Sequence, residues 1–248
     1  MTPGDASRSE GAATEQSDWR ARVLRQSLAR SERSVRQRGI APAQRIVEAA
    51  LALSEETGGA TFSIQQVLSR AKVALQTFYR HFGSKDALLL AMLEESVGVG
   101  TAAMRRQVDD EPDPLVALHW LITQPIAAGT AGQGASMSAI VREHYRLLEL
   151  FPEEVERSSG RYAAVVAEAI RRAESAGLVE PFDVDAQADL IGDLVLSQFH
   201  RLRLAATQVP APEQAVRCWR FCFASLSPTP EGARRAARLR KLALEGSR

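Results

Sequence analysis

The side chains with the clearest chemical use in this 248-residue chain are concentrated between Leu75 and Phe82. They supply an amide, a hydroxyl, a phenol, a guanidinium and an imidazole, the types of group that bind base edges and phosphates in nucleic acids. The residues that carry them are Gln76, Thr77, Tyr79, Arg80 and His81. Because so short a segment is not stable as an isolated helix, its apolar residues must dock on neighbouring elements while these polar ones face outward.

The helix that positions this segment is predicted immediately before it. Ser63 and Gln66 have the spacing of a capping box, in which each side chain accepts a hydrogen bond from the other residue's backbone N–H. The apolar residues that follow recur at i, i+3, i+4 and i+7 and are Ile64, Val67, Leu68 and Ala71. We therefore expect a helix buried on one side, a tight turn and a second short helix. Phe78 and Phe82, four residues apart, are expected to anchor that second helix in the core.

This arrangement resembles the tetracycline-repressor (TetR) family of bacterial regulators over about 45 residues. The family pattern is an alanine-glycine-valine-serine turn followed by threonine, an apolar residue, tyrosine, any residue, histidine, phenylalanine and then a lysine. The residues that meet it are Ala71, Val73, Thr77, Phe78, Tyr79, His81, Phe82 and Lys85. Lys72 replaces the turn glycine and Ala74 replaces the capping serine. Each departure costs roughly 1 kcal/mol of stability, and neither forbids the fold.

The resemblance implies a helix-turn-helix DNA-binding site. Its predicted DNA contacts are Ser63, Ala74, Leu75, Gln76, Thr77, Tyr79, Arg80, His81 and Lys85. Gln76 can pair with adenine, and Arg80 can bind guanine in a bidentate manner or grip a phosphate. Leu75 stays open between a core position, which helical spacing favours, and contact with a thymine methyl group. The resemblance implies a phosphate contact for Lys85, and Ser63 is expected to cap its helix, with a phosphate as a second partner of its hydroxyl.

The positive charge of the chain is segregated in an N-terminal arm. The formal net charge is only +1, yet residues 19–45 carry eight arginines against one acidic residue, Glu32. Apolar residues in this stretch lie close to helical spacing, so an extra amphipathic helix is one expectation. The predicted DNA contacts of the arm are Arg33, Arg36 and Arg38, which would neutralise phosphates or enter the minor groove. The alternative is a solvated, partly disordered charge run.

An all-α fold is predicted, because no run of alternating residues is long enough to indicate a sheet. The predicted organisation is a flexible to partly helical basic arm (1–40), a helix-turn-helix domain (41–88), a connecting helix (89–108), a helical effector-binding and dimerisation domain (109–230) and a basic C-terminal tail (231–248). The larger domain is expected to begin at the break DDEPDP, residues 109–114. Its helices are predicted at 114–128, 136–150, 152–176, 184–206 and 212–226.

Two of these helices, 184–206 and 212–226, are apolar more than halfway round and must be covered on two sides. A short recognition helix also makes too few contacts for selective binding, so two copies are expected to act across a two-fold axis. The resemblance implies a four-helix bundle between subunits. The predicted dimer contacts are Ile191, Val195, Phe199, Leu202, Trp219 and Phe223. Burial wholly inside one subunit is the alternative.

The middle helices place aromatic and hydrogen-bonding residues among apolar neighbours, which is the make-up of a ligand pocket. The candidate ligand contacts are Trp120, Gln124, Met137, His144, Tyr145, Phe151 and Tyr162. Each of them can equally be an ordinary core residue. The resemblance implies a small-molecule effector that changes the separation of two DNA-binding modules, so that effector and operator affinities are coupled. The apolar bias favours a greasy or aromatic compound.

Features of other protein classes are weak in this sequence. The four histidines show no metal-ligand spacing and no nucleophile triad can be argued, so neither an enzyme, a metal nor a cofactor is predicted. Cys218 and Cys222 are expected to be buried free thiols. No run approaches the length of a membrane span and the N-terminus lacks the apolar core of a secretion signal, so a cytoplasmic location is expected.

The sequence therefore predicts a homodimeric regulator that binds double-stranded DNA. A repressor of a palindromic operator, released by a small apolar or aromatic ligand, is the favoured form. The alternative is an activator, or a regulator that binds a protein partner and has no small-molecule inducer.

Overall fold

The computed structural model describes residues 41–128, 135–180 and 182–245, most of which are α-helical. In chain order the helices are α1 (residues 41–57), α2 (Ile64–Ala71), α3 (Leu75–His81), α4 (Lys85–Asp110), α5 (Pro114–Ala128), α6 (Ala135–Leu150), α7 (Pro152–Ser175), α8 (Val184–Arg203), α9 (Ala211–Ser225) and α10 (Pro230–Glu245). Within these ranges the β-structure is one isolated antiparallel bridge between Val179 and Pro228. The predicted all-α fold class is confirmed.

Local side chains set the helix ends around the short segment. Ser63 Oγ accepts a hydrogen bond from Gln66 N at 3.2 Å and Gln66 Oε1 accepts one from Ser63 N at 2.7 Å, which confirms the capping box. Lys72 ends α2 in the left-handed conformation, with φ of 55° and ψ of 50°. Ala74 precedes α3 without a side-chain cap. The strained residue and the missing cap therefore lie at the two positions that depart from the family pattern.

The end of α8 differs from the prediction. The helix stops at Arg203 rather than at residue 206, because the chain reverses through Ala205, whose φ is 51°. Ala206 N donates to Arg201 O at 2.7 Å and Ala205 N donates to Leu202 O at 3.1 Å. These two bonds form a Schellman motif, a helix end that usually has glycine at the left-handed position. Since alanine stands there instead, the usual sequence signal was missing.

Two hydrophobic cores lie along the molecule, and α4 contributes to both. The first core is built from α1 to α4 and contains Phe78 and Leu88, together with Ile140 and Leu147 of α6. The second core is built from the C-terminal helices, and Val108 near the end of α4 is buried in it. A displacement of α4 or α6 would therefore change the packing of the first core. The predicted domain limits stay a prediction, with residues 111–113 forming the turn between α4 and α5.

Within the segment predicted as a basic tail, residues 231–248, the structure shows the helix α10, Pro230–Glu245. Arg235 forms an ion pair with Asp113 at 2.5 Å, and Ala236 is buried in the second core. Gly232 lies directly against the backbone of Leu178. The positive charges of this segment are thus carried on a helix that is docked on the larger core.

One helix in the described ranges, α4, is long and apolar enough to cross a membrane by length and composition alone, with a mean hydropathy of 1.4 over 18 residues. This corrects the expectation that no run approaches that length. A helix packed in a protein core passes the same test. Leu88, Leu89 and Met92 of α4 are indeed buried in the first core.

Candidate nucleic-acid interface and ligand cavity

The short helix α3 is anchored by one aromatic side chain and presents its opposite face to solvent. Phe78 is fully buried, with its ring centroid 5.6 Å from that of Phe82. Leu75 and Tyr79 are 53% and 54% exposed, and Gln76, Ala74 and Arg80 are exposed as well. The open question about Leu75 is thereby decided against a core position. An amide, a phenol and a guanidinium share one accessible face of a helix of suitable size for a major groove.

Lys85 has structural partners that the sequence did not indicate. Its ammonium donates hydrogen bonds to Ala60 O at 2.7 Å and to Phe62 O at 2.8 Å, and lies 4.8 Å from the centre of the Phe62 ring. These bonds tie the start of α4 to the loop between α1 and α2. Since an ammonium has three N–H donors, one is left for a phosphate. The predicted phosphate contact is therefore at most a second role.

Lys85→Ala should destabilise the protein in the absence of DNA. Removing two charge-assisted hydrogen bonds is expected to lower the free energy of unfolding by about 1.5–3 kcal/mol. Urea unfolding followed by circular dichroism measures this loss. Arg106→Ala is the control, because Arg106 is an exposed cationic residue on the same helix and its replacement should change stability by less than about 0.5 kcal/mol. Equal unfolding midpoints for Lys85→Ala and the unaltered protein would contradict the structural role.

His81 and Thr77 face DNA less fully than predicted. His81 is half-buried, and its Nε2 is enclosed without a hydrogen-bond partner in the described structure. Thr77 is also half-buried, and its backbone N donates to Ala74 O at 2.9 Å in the first turn of α3. Ser63 stays exposed while it caps α2. The predicted arm contacts Arg33, Arg36 and Arg38 lie outside the described residues.

A cavity of about 600 Å³ lies between α4, α5, α6, α7 and α8. Three of the seven predicted ligand contacts line it, namely Met137, His144 and Tyr162. Tyr162 also donates a hydrogen bond to Leu121 O at 2.9 Å, so its hydroxyl is satisfied by the protein, and burial raises its pKa. This volume falls within the range of small-molecule sites.

The other four predicted ligand contacts lie outside the cavity lining. Trp120 packs on the second core and Phe151 packs on the first. Gln124 is exposed, and Tyr145 is 68% exposed. Tyr145 follows His144 directly, so the 100° rotation between neighbouring helical residues carries one side chain inward and the next one out. These four predicted ligand contacts are corrected accordingly.

One end of the cavity holds a polar cluster, of which the sequence indicated His144 but not His200 or Arg203. His144 and His200 are buried with their ring centroids 4.8 Å apart, edge to face, and Arg203 lines the same end. Burial lowers the pKa of both histidines, and the neighbouring His144 lowers the pKa of His200 further, to about 4. Both rings are therefore neutral near pH 7, each with one donor and one acceptor nitrogen. Leu196 and Arg203 each lie three or four residues from Phe199 and His200 along α8. This helical spacing was the signal in the sequence that could have placed them on one face.

The six predicted dimer contacts face the interior of their own subunit. Ile191, Val195, Trp219 and Phe223 are buried in the second core, Leu202 packs on it, and Phe199 lines the cavity. The apolar residues that these helices leave accessible are others: Leu190 is 63% exposed on α8 and Phe221 is 68% exposed on α9. Helical spacing revealed that α8 and α9 are apolar on more than one side. It did not reveal which side the subunit itself covers.

Among the residues that the structure describes, those with metal-binding or redox potential form no larger cluster. Within the described ranges, no group of three or more histidine, cysteine or acidic side chains is arranged to hold a metal ion. Cys218 and Cys222 are buried free thiols with their Sγ atoms 3.9 Å apart, as the sequence predicted. Trp219 stacks on Phe223 at 4.9 Å beside them, so this region of α9 is part of the packed core.

The exposed α3, the capped α2 before it and the larger helical domain behind them define a helix-turn-helix protein with a C-terminal helical domain. Residues 46–92 match the family model of the bacterial regulatory proteins of the tetR family. This match confirms the resemblance seen in the sequence.

Individual relatives agree with this assignment. A curated relative, the uncharacterized HTH-type transcriptional regulator YerO of Bacillus subtilis (strain 168), is 33% identical over 67 residues, which cover 27% of this chain and 23% of YerO. Less than a quarter of YerO is therefore matched. A TetR-family transcriptional regulator from Pectobacterium atrosepticum shares the fold with a TM-score of 0.62 and 19% identity, over 79% of this chain and 98% of its own.

A second similar structure carries a bound ligand. The transcriptional regulator FadR from Bacillus subtilis, solved in complex with stearoyl-CoA, has a TM-score of 0.55 and 14% identity to this protein. The match covers 72% of this chain and 96% of FadR. At this identity the likeness extends to the fold.

Proposed function

We propose that this protein is a DNA-binding transcriptional regulator that acts as a homodimer on a palindromic operator in the cytoplasm. The observation that carries the proposal is α3, whose polar face is exposed while the buried Phe78 fixes its orientation. Leu75, Gln76, Tyr79 and Arg80 would face the major groove, with Ser63, Ala74 and Lys85 beside the phosphates. The less accessible Thr77 and His81 would contribute to register, and the arm arginines 33, 36 and 38 would add phosphate contacts.

The direct test is binding to the DNA upstream of the protein's own gene. A gel shift at low salt followed by footprinting should reveal one protected, two-fold symmetric site. Affinity should fall steeply with salt, because phosphate contacts release counterions. Absence of a shift at low salt would count against the whole proposal.

Arg80→Ala should weaken operator binding without affecting folding. Loss of one base contact costs about 1–3 kcal/mol, roughly five- to 150-fold in affinity for each subunit, and should relax the preference at one base pair. Quantitative gel shifts with single-base operator variants measure both effects. Arg234→Ala is the control, because Arg234 is exposed on α10, remote in the chain from α3, and its loss should leave operator affinity unchanged. Equal affinities for Arg80→Ala and the control would remove Arg80 from the interface.

The proposed dimer uses the outward faces of α8 and α9. Leu190 and Phe221 are large apolar side chains that the subunit leaves exposed on adjacent helices. Two copies of such a face can form the four-helix bundle that the family resemblance implies. The six dimer contacts predicted from the sequence would then pack beneath this face within their own subunit, instead of contacting the partner subunit.

Phe221→Asp should convert the dimer to a monomer. A buried aromatic contact at an interface contributes about 2 kcal/mol or more, roughly a 30-fold change in the dissociation constant of the dimer. Light scattering over a concentration series measures this change. Tyr145→Asp is the matched control, because Tyr145 is an aromatic residue of the same 68% exposure on α6. A dimer that survives Phe221→Asp would place the interface elsewhere.

We further propose that a small ligand enters the cavity and releases the protein from DNA, which makes it a repressor. The support is structural continuity: α4 lines the cavity and also packs in the first core next to α3. The complex of FadR with stearoyl-CoA adds an example of ligand binding in a protein of this fold. An activator, or a regulator with a protein partner, is the alternative; a ligand that strengthens or leaves unchanged the footprint would favour it. Catalysis forms no part of the proposal.

A further inference from the structure

The polar end of the cavity is equipped for a ligand group that the protein itself does not satisfy. His144 and His200 are buried, and within the described residues their imidazole rings make aromatic ring contacts but no hydrogen bond. Ser158, which is 2% exposed and lines the same cavity, has a buried Oγ without a hydrogen-bond partner in the described structure. Buried polar groups usually have partners, so groups left open toward a cavity indicate a ligand that supplies them.

Arg203 gives this end a positive charge. Its guanidinium lies 5.4 Å from the centre of the Phe199 ring, and it donates a hydrogen bond to Ala128 O at 3.3 Å. Burial lowers the pKa of Arg203, because desolvation disfavours the charged guanidinium. An anion bound in the cavity would stabilise the charged form.

The rest of the cavity limits what kind of anion fits. Its lining follows α8 from Asp189 to Arg203, about 21 Å along the helix axis at 1.5 Å per residue, so the space is elongated. Apolar side chains dominate between the ends, among them Val97, Met104 and Leu196. Asp189 and Asp193 line the end remote from Arg203, and Glu156 is a third carboxylate in the lining. These groups would repel a second negative charge on the ligand.

We propose that the cavity binds an elongated, apolar monocarboxylate, whose carboxylate binds Arg203 together with His144 and His200. The ligand class depends on the cavity alone. Its effect on DNA rests on the proposed function. Neutral apolar compounds would fill the same space without this charge-assisted contact.

The ligand class is tested by calorimetry on the full-length protein without DNA. The probes are dodecanoate and its neutral counterpart dodecanol, both kept below the concentrations at which they aggregate. Dodecanoate should bind at least roughly tenfold more tightly than dodecanol, and Arg203→Gln should remove this advantage, because a charge-assisted hydrogen bond contributes about that much. Arg201→Gln is the matched control, since Arg201 is exposed on the same helix. Thermal unfolding verifies that each variant is folded, and His200→Gln, which keeps the charge of Arg203, should weaken dodecanoate binding in its place if Arg203→Gln does not fold.

The outcomes separate this inference from the proposed function. Equal binding of dodecanol and dodecanoate, or an Arg203→Gln variant that is folded and binds dodecanoate normally, would overturn the ligand class even if DNA is bound. Arg203-dependent dodecanoate binding by a protein that binds no DNA would support the ligand class and refute the regulator.

Discussion

Phe78→Ala should lower the free energy of unfolding by about 3–5 kcal/mol and abolish operator binding. Phe78 is fully buried in the first core, and its ring centroid lies 5.4 Å from that of Tyr79 and 5.6 Å from that of Phe82. Because α3 has only seven residues, it is not stable without this anchor. Removing the ring leaves a cavity under the helix and frees the orientation of Gln76 and Arg80.

Leu75→Ala separates anchoring from DNA contact. Leu75 lies one turn earlier on the same helix but is 53% exposed, so its replacement should change stability by less than about 0.5 kcal/mol. Urea unfolding and gel shifts on both variants give the comparison. If Phe78→Ala unfolds at the same urea concentration as the unaltered protein, the buried ring is not what holds α3 in place.

Gly232→Ala should dislodge α10 from the larger core and cost about 2 kcal/mol or more. A Cβ at this position would stand 2.0 Å from Leu178 O and 2.9 Å from Leu178 C. These are backbone atoms, and Leu178 O is already held by a hydrogen bond from Thr229 N at 3.1 Å, so local rotation of a side chain cannot relieve the overlap. The ion pair between Arg235 and Asp113 should be lost with the docking of the helix.

Gly160→Ala is the matched control for this substitution. Gly160 lies within α7 and faces open space, so alanine there should raise stability by about 0.5–1 kcal/mol through its helix propensity. Differential scanning calorimetry should therefore show a lower unfolding temperature for Gly232→Ala, and a higher one for Gly160→Ala, than for the unaltered protein. A Gly232→Ala variant as stable as the Gly160→Ala variant would mean that α10 does not pack as observed.

The features that could be predicted are those encoded by residues a few positions apart. Ser63 and Gln66 satisfy each other's backbone N–H, and Ser84 Oγ accepts a hydrogen bond from Ala87 N at 3.1 Å. Such contacts depend on spacing along one helix turn, so they can be recognised without knowledge of the fold. Where the local signal was absent, as at Ala205, the prediction of the helix end was wrong.

Contacts between distant segments could not be predicted in the same way. The carbonyl oxygens bound by Lys85 belong to Ala60 and Phe62, more than 20 positions earlier. His144 meets His200 only because α6 crosses α8 at that point. His144 and Tyr145 are adjacent in the sequence, yet the first is buried and the second is exposed. The rotation between neighbouring helical residues separates their side chains, and the position of the surrounding helices decides which of the two is covered.

The sequence by itself determined the family, the all-α class and the segment that carries the exposed polar helix, because capping, turn and short-range apolar spacing act within that segment. Only the tertiary structure decided which apolar faces of α8 and α9 are covered within the subunit, and which side chains meet in the cavity. The physical reason is that apolar periodicity shows that a helix face must be buried, whereas its partner is chosen by the packing of helices that are far apart in the chain.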